Sequence, residues 1–419
     1  MRAFIHKVPW LERVYWGWFV AAGAFFVMGV SYGSKYCFGL FVDPMFSDKQ
    51  WPMSSIAFAA SINALMYASG GLFSGRMLDK IAPKWIITTG AFFQGAGFVL
   101  TAWIQTPLQM YIAYGVVCGL GSGCTGVVVN GSSVGKWFVR KRGTAIGIAS
   151  MGIGVSTMVM APLAAFIIEN YNWRTGFIFF GLVVLVVGVL ISQLLMGRTA
   201  PEKYGLLPDG DPPGKESAGK ATQSSGTTLD TNPANVLKDH RFWVMVACFT
   251  GLIAVQMMVF VHHVAYAVHN NIDKIAAASS VGIIGIASIF GRFFYGWLSD
   301  RIADPKYSAL LGYLTMACSI VILLHMSSVA WLYFFAVTFG FGYGSVSTMM
   351  PVLLSDRFGR RVLGSTYGML TFFTVGIGGT FGPLLGGIIY DLTQSYLAAW
   401  RFDLALLVMV SLGISTLKS

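Results

Sequence analysis

The sequence predicts an all-α membrane protein of twelve spanning helices, arranged as two related six-helix bundles. Three observations predict it. Of the 419 residues, 55% are hydrophobic and 11% charged, at a mean hydropathy of +0.67, whereas soluble domains carry about 25% charged residues. The apolar residues fall into twelve stretches, each suited to a helix of roughly 20 residues. Finally, Gly75, Asp79, Ile81 and Ala82 recur 221 residues later as Gly296, Asp300, Ile302 and Ala303. The offset holds from Gly70/Gly291 to Ile168/Ile389, through Arg140/Arg361, Gly143/Gly364, Gly147/Gly368 and Pro162/Pro383. The fifty glycines allow close helix packing in lipid, and the short alternating strands of a β-barrel are missing from the pattern.

The stretches follow in order. Residues 15–42 carry Tyr32, Lys35 and Tyr36; 54–78 carry Asn63 and Tyr67 and end on Gly75-Arg76-Met77-Leu78-Asp79-Lys80. Residues 85–105 form the third, and 107–135 hold Gly119, Gly121, Gly123 and Asn130. A basic run, Lys136 to Arg142, precedes 143–169; 174–197 closes the first bundle. In the second, 241–268 holds Gln256, His262, His263 and Tyr266, with His269 just beyond, and 275–298 holds Arg292 before Gly296-Trp297-Leu298-Ser299-Asp300-Arg301. Then come 307–326, 329–355 with Tyr343, 362–390 with Tyr367, and 397–416. The intervening polar stretch, 198–239, contains four prolines by Pro213 and a Ser/Thr/Gly-rich run to Thr231, the composition of a flexible linker. The expected units are residues 1–197, the linker 198–239 and residues 240–419.

The net charge of +11 does not imply a nucleic-acid partner. With the N-terminus inside, 22 of the 28 Lys and Arg residues fall in cytoplasmic segments and four (Lys49, Arg174, Lys274 and Arg401) outside. That asymmetry is the positive-inside rule and places both termini in the cytoplasm of a multi-pass protein of the cell (inner or plasma) membrane. The first helix serves as the insertion signal, so no cleavable leader is expected. Cys37, Cys118, Cys124, Cys248 and Cys318 have unrelated spacings, which suggest neither disulfides nor a metal site. No cofactor is expected, and no nucleophile–base pair points to an enzyme.

Arg292 lies eight residues before Asp300, so about 12 Å up its helix, near the middle of a hydrocarbon core about 30 Å thick. An arginine there costs at least ~2.5–3.5 kcal/mol and is tolerated facing a cavity or a partner. Its counterpart at offset 221 is Gly71, and Asp43, Glu169, Asp273, Asp391 and Asp403 fall at or near helix ends. With no acidic partner at that depth, the planar fork of Arg292 suits a substrate carboxylate; backbone carbonyls or tyrosines are the other partners. Lys35 sits at a similar depth, where it can serve the cavity or snorkel outward, and Tyr32 and Tyr36 flank it. His262 and His263 could relay protons or pack between helices. Asn63, Tyr67, Asn130, Gln256, Tyr343 and Tyr367 are further polar candidates.

The Gly75–Lys80 and Gly296–Arg301 loops resemble the signature of the major facilitator superfamily, with Ala82 and Ala303 in place of its later glycine. Each aspartate is expected to face the positive start of a later helix, beside Arg140 and Arg361, as a cytoplasmic latch that breaks when the halves rock. A purely topogenic loop charge is the alternative. Trp16-Gly17-Trp18, Gly135 to Arg142 followed by Ala145, Gly147, Ala149 and Gly152, and Val261-His262-His263-Val264-Ala265-Tyr266-Ala267 are similar to bacterial monocarboxylate transporters and the related oxalate/formate branch. The resemblance implies that Arg292 binds the carboxylate. It puts Tyr36 where the family has a lysine and Ser288 where animal members have a proton-linked aspartate. The second cation of the oxalate branch would fall near Thr374, which is uncharged. The expectation is proton symport of small monocarboxylates such as L-lactate by alternating access, in a membrane-embedded monomer. Arg292, Tyr32, Tyr36, Lys35, Asn130 and Tyr343 are the expected substrate contacts. Carboxylate exchange, and a non-transporting sensor or channel, are the rival readings.

Overall fold

A computed structural model describes residues 15–210 and 233–417. Arg2, Lys7, Arg13, Lys215, Lys220, Lys418 and the linker's Ser/Thr/Gly-rich run lie outside the described residues. Twelve long helices are present among the described residues. They are α1 (Trp16–Tyr36, continued by Phe38–Lys49), α2 (Met53–Leu78), α3 (Pro83–Thr101), α4 (Pro107–Trp137), α5 (Arg142–Asn170) and α6 (Trp173–Leu195). The second six are α7 (His240–His269), α8 (Lys274–Ser299), α9 (Lys306–Leu324), α10 (Val329–Phe358), α11 (Leu363–Thr393) and α12 (Tyr396–Ser415). Ten of them are long and apolar enough to cross a membrane by composition alone; α2 and α3 are not among the ten. These two carry polar side chains into helix contacts instead, with Asn63, Ser74, Gln94 and Thr101 all buried.

The starts are set by local chemistry. Asn172 caps α6 by accepting the Thr175 amide at 2.8 Å. Asp239 caps α7 through Arg241 N at 2.8 Å, and Asp273 caps α8 through Ile275 N at 2.9 Å. Such side-chain oxygens satisfy amides that the helix itself cannot. Thr106 and Gln109 form a reciprocal capping box at the start of α4, with Pro107 in the first position.

Two helices depart from regularity. Helix α4 contains a π segment, Tyr111–Cys118, and breaks at Gly126, whose ψ of −170° is extended. Helix α11 contains a π segment at Thr374–Gly378. Freed carbonyls in lipid need partners; at the α4 break the Asn130 amide supplies them, donating to Thr125 O at 2.7 Å and Gly126 O at 3.0 Å.

The two sets of six helices meet through two equivalent seams, α2 against α11 and α5 against α8. At each seam a glycine pair permits backbone contact. A methyl group on Gly364 would lie 2.5 Å from Gly75 O, and one on Gly143 or Gly296 would strike the other's carbonyl oxygen. Because Gly75 and Gly143 map to Gly296 and Gly364 at offset 221, the two seams are the same contact made twice.

Candidate functional site

Both seams end on an aspartate. Asp300, just past α8, accepts hydrogen bonds from Gly143 N and Thr144 N at the start of α5, each 2.7 Å. Asp79, just past α2, accepts from Ser365 N at 3.2 Å and Ser365 Oγ at 2.5 Å at the start of α11. Each carboxylate thus sits on the amides at the positive end of a helix from the other half. The cation beside Asp79 is Lys136, at 3.2 Å. Arg140 offers its backbone amide to Asp209 at 3.0 Å, and Arg361 lines a cavity at this end of the molecule together with Asp79 and Lys136. Sequence reasoning named the helix starts but missed Lys136; a lysine's reach across a loop is not visible in spacing.

Between the halves lies a cavity of about 250 Å³. Its lining includes Arg292, Tyr32, Lys35, Tyr36, Tyr67, Gln256, Tyr343 and Tyr367. Arg292 is 1% exposed. Its guanidinium donates to Ser150 O on α5 at 3.2 Å and to the Tyr343 hydroxyl at 3.4 Å, and its Cζ lies 5.4 Å from the Tyr343 ring centre. The close approach at Gly147, where a methyl group would be 2.5 Å from Arg292 O, brings this α8 residue within reach of the α5 backbone. Arg292 Nε has no partner among the described residues.

Three further polar atoms around the same cavity are buried and without partners: Gln256 Oε1, Ser347 Oγ and Thr371 Oγ1. A buried polar group without a hydrogen bond costs ~1–3 kcal/mol, and four such atoms gather around this one cavity. Ser347 and Thr371 were not picked out from sequence, since a hydroxyl in an apolar helix carries no directional signal. On the opposite wall the Tyr32 and Tyr67 hydroxyls bond at 2.6 Å, and Lys35 Nζ stands 4.2 Å from the Tyr67 ring centre.

The remaining candidates lie elsewhere. Asn130 is fully buried and holds the α4 break together, so it does not line the cavity. Asn63 donates to Tyr114 O at 2.8 Å, a packing bond between α2 and α4. His263 bonds Val259 O at 2.6 Å and Ser280 Oγ at 3.1 Å, and His262 bonds Pro383 O at 3.0 Å. Neither histidine reaches the cavity. Asp403, expected near a helix end, is instead about two turns into α12, fully buried, with both carboxylate oxygens unpartnered among the described residues.

The cavity walls repeat the pseudo-symmetry with changed chemistry. Tyr32, Lys35 and Tyr36 on α1 map at offset 221 to Ile253, Gln256 and Met257 on α7, and all six line the cavity. The repeat sets the positions, and one half fills them with phenols and an amine.

Comparison with known proteins fits this geometry. Residues 24–383 match the Major Facilitator Superfamily profile. Monocarboxylate transporter 12-B of Danio rerio is 26% identical over 411 residues, covering 92% of this chain and 83% of that one. Monocarboxylate transporter 2 of Homo sapiens is 28% identical over 398 residues, covering 91% and 81%. The E. coli fucose:proton symporter superposes with a TM-score of 0.70 at 14% identity, over 95% of this chain and 97% of that one, which is a likeness of fold. The chain therefore belongs to the major facilitator superfamily, and it is a multi-pass membrane transporter rather than an enzyme.

Proposed function

We propose that this transporter carries small monocarboxylates such as L-lactate together with a proton, by alternating access. The observation that carries the reading is Arg292: a buried guanidinium at the cavity wall, held by one backbone carbonyl and one phenol, with Nε unpartnered. No carboxylate lines the cavity among the described residues, so an anionic substrate is the counter-ion that the site lacks. The similarity to monocarboxylate transporters, although under 30% identity, supports the same substrate class.

Tyr32, Tyr36, Lys35 and Tyr343 are the proposed companions of Arg292, with Gln256, Ser347 and Thr371 added from the cavity lining. Residues 1–197 and 240–419 act as the two moving bodies, joined by 198–239. The Asp79 and Asp300 contacts form the latch at the cytoplasmic end. Tyr36, toward the other end of α1, is 48% exposed, which suits a cavity reached from outside while the latch is shut. Both termini are proposed to lie in the cytoplasm, in the plasma membrane, with the monomer as the working unit. Since neither histidine lines the cavity, the proton has two carriers there: the carboxylate itself, or Lys35.

Lys35 also favours a second reading. Two cations in one cavity suit a dianion, as in an oxalate/formate-type exchanger. Uptake by proteoliposomes of a panel of mono- and dicarboxylates, with and without an imposed pH gradient, separates the two. Symport gives lactate accumulation that follows the proton gradient; exchange gives uptake that depends on substrate preloaded inside. Absence of saturable carboxylate uptake under either condition overturns both.

A further inference from the structure

At the Asp79 end, a second cavity of about 450 Å³ opens between the two halves, within the size range of small-ligand sites. Five cations line it: Lys80, Lys136, Lys203, Arg360 and Arg361. The two carboxylates in its wall are already engaged, Asp79 by Lys136 and Ser365, and Glu202 by Arg360. Five positive and two negative charges leave an excess of three. Lys80, Lys203 and Arg361 have no ion-pair partner among the described residues.

The cavity is built from both halves. Lys80 follows α2, Lys136 closes α4, and Lys203 sits in a single 3-10 turn, Pro201–Tyr204, shortly after α6. Arg360 and Arg361 come from the turn between α10 and α11. Arg360 also donates to Lys136 O at 3.3 Å, so the walls are fixed relative to each other. Thr199, also in the lining, has a buried Oγ1 with no partner among the described residues. A concave basic site with an unfilled hydroxyl, bridging two bodies, matches what a phosphate group offers: charge near −2 and several strong acceptors.

We infer that this cavity binds a phosphate-bearing anion, either a free phosphate or the headgroup of an anionic lipid, and that its occupancy holds this end of the transporter shut. Lys80 and Arg361 line the cavity from opposite halves, so binding adds contacts present when the seam is closed and lost when it parts. A ligand with that preference shifts the population toward the closed seam. Basic pockets between membrane helices commonly take anionic headgroups. The inference is independent of what the central cavity carries.

The test is thermal unfolding of the purified full chain with two probes: inorganic phosphate against chloride at equal ionic strength, and phosphatidic acid against phosphatidylcholine in nanodiscs. The midpoint of the wild type is expected to rise by at least about 2 °C. Lys80→Ala with Lys203→Ala removes the rise. A control pair, Lys141→Ala with Lys238→Ala, changes net charge equally and keeps it. If the first pair does not elute as a single monodisperse species, Lys203→Ala alone takes its place. A rise with phosphate assigns a free anion, and a rise with phosphatidic acid alone assigns a lipid headgroup. No rise with either probe, a rise undiminished in the variant, or a rise lost equally in the control overturns the inference. So does stabilisation by lactate, persisting in Arg292→Ala, where phosphate gives none.

Discussion

The two seams and the two cavity walls come from the same duplication and have gone different ways. At the seams, Gly75, Asp79, Gly143 and Thr144 have counterparts Gly296, Asp300, Gly364 and Ser365. The glycine contacts repeat, and each aspartate accepts the amide one residue past a seam glycine; Asp300 adds Gly143 N, Asp79 the Ser365 hydroxyl and Lys136. Among the cavity residues, Arg292 has Gly71 as its counterpart at offset 221, and Tyr32, Lys35 and Tyr36 have Ile253, Gln256 and Met257. Backbone contact tolerates little variation, because a single methyl group at the seam strikes a carbonyl. Cavity side chains face open space and are free to diverge. In the proposed mechanism, motion rests on what the halves share, and binding on what they do not.

Five substitutions probe that division. The largest effect is expected from Gly296→Val. Its side chain collides with Gly143 O, and with overpacking at ~1–3 kcal/mol, uptake should fall roughly 10- to 100-fold while substrate affinity changes little. Equal loss of affinity would show that the seam also shapes the site. Next, Lys35→Met should remove the stimulation of uptake by an imposed pH gradient yet leave carboxylate exchange; unchanged stimulation assigns the proton to the substrate instead. Asp79→Asn and Asp300→Asn each weaken charge-assisted bonds, by ~1 kcal/mol or somewhat more, so each should slow transport about 5- to 10-fold. If the seams are mechanically equivalent, the two should agree within about threefold. The smallest transport effect belongs to Asn130→Ala. It leaves the α4 break unsatisfied and should lower stability by ~1–3 kcal/mol, read as an earlier unfolding midpoint, with the substrate concentration for half-maximal uptake unchanged.

Much of the architecture was legible in the sequence, because a fixed offset and hydrophobic length survive without knowledge of packing. Arg292 was legible for a related reason: depth follows from counting residues to a helix end. Direction around the helix axis was not. Asn130 was expected in the cavity, but the break at Gly126 turns its amide onto the backbone of its own helix. His262 and His263 were weighed as proton relays, yet one bonds a carbonyl at Pro383 and the other a serine on α8. Asp403 was placed near an end although the expected helix, 397–416, begins within one residue of α12 at Tyr396; its full burial depends on packing that residue counting does not show. Gln256 drew attention as the positional equivalent of Lys35, a pairing that matters once both are seen to line one cavity.

The central claim is that the shared frame moves and the unshared Arg292 senses substrate. It is tested most directly by spin-label distances across the Asp79/Asp300 end, measured with and without lactate in the wild type and in Arg292→Ala. The account predicts that lactate shifts the wild-type distance distribution, whereas the variant keeps its ligand-free distribution at every lactate concentration. An Arg292→Ala transporter whose distances still respond to lactate like the wild type would contradict it.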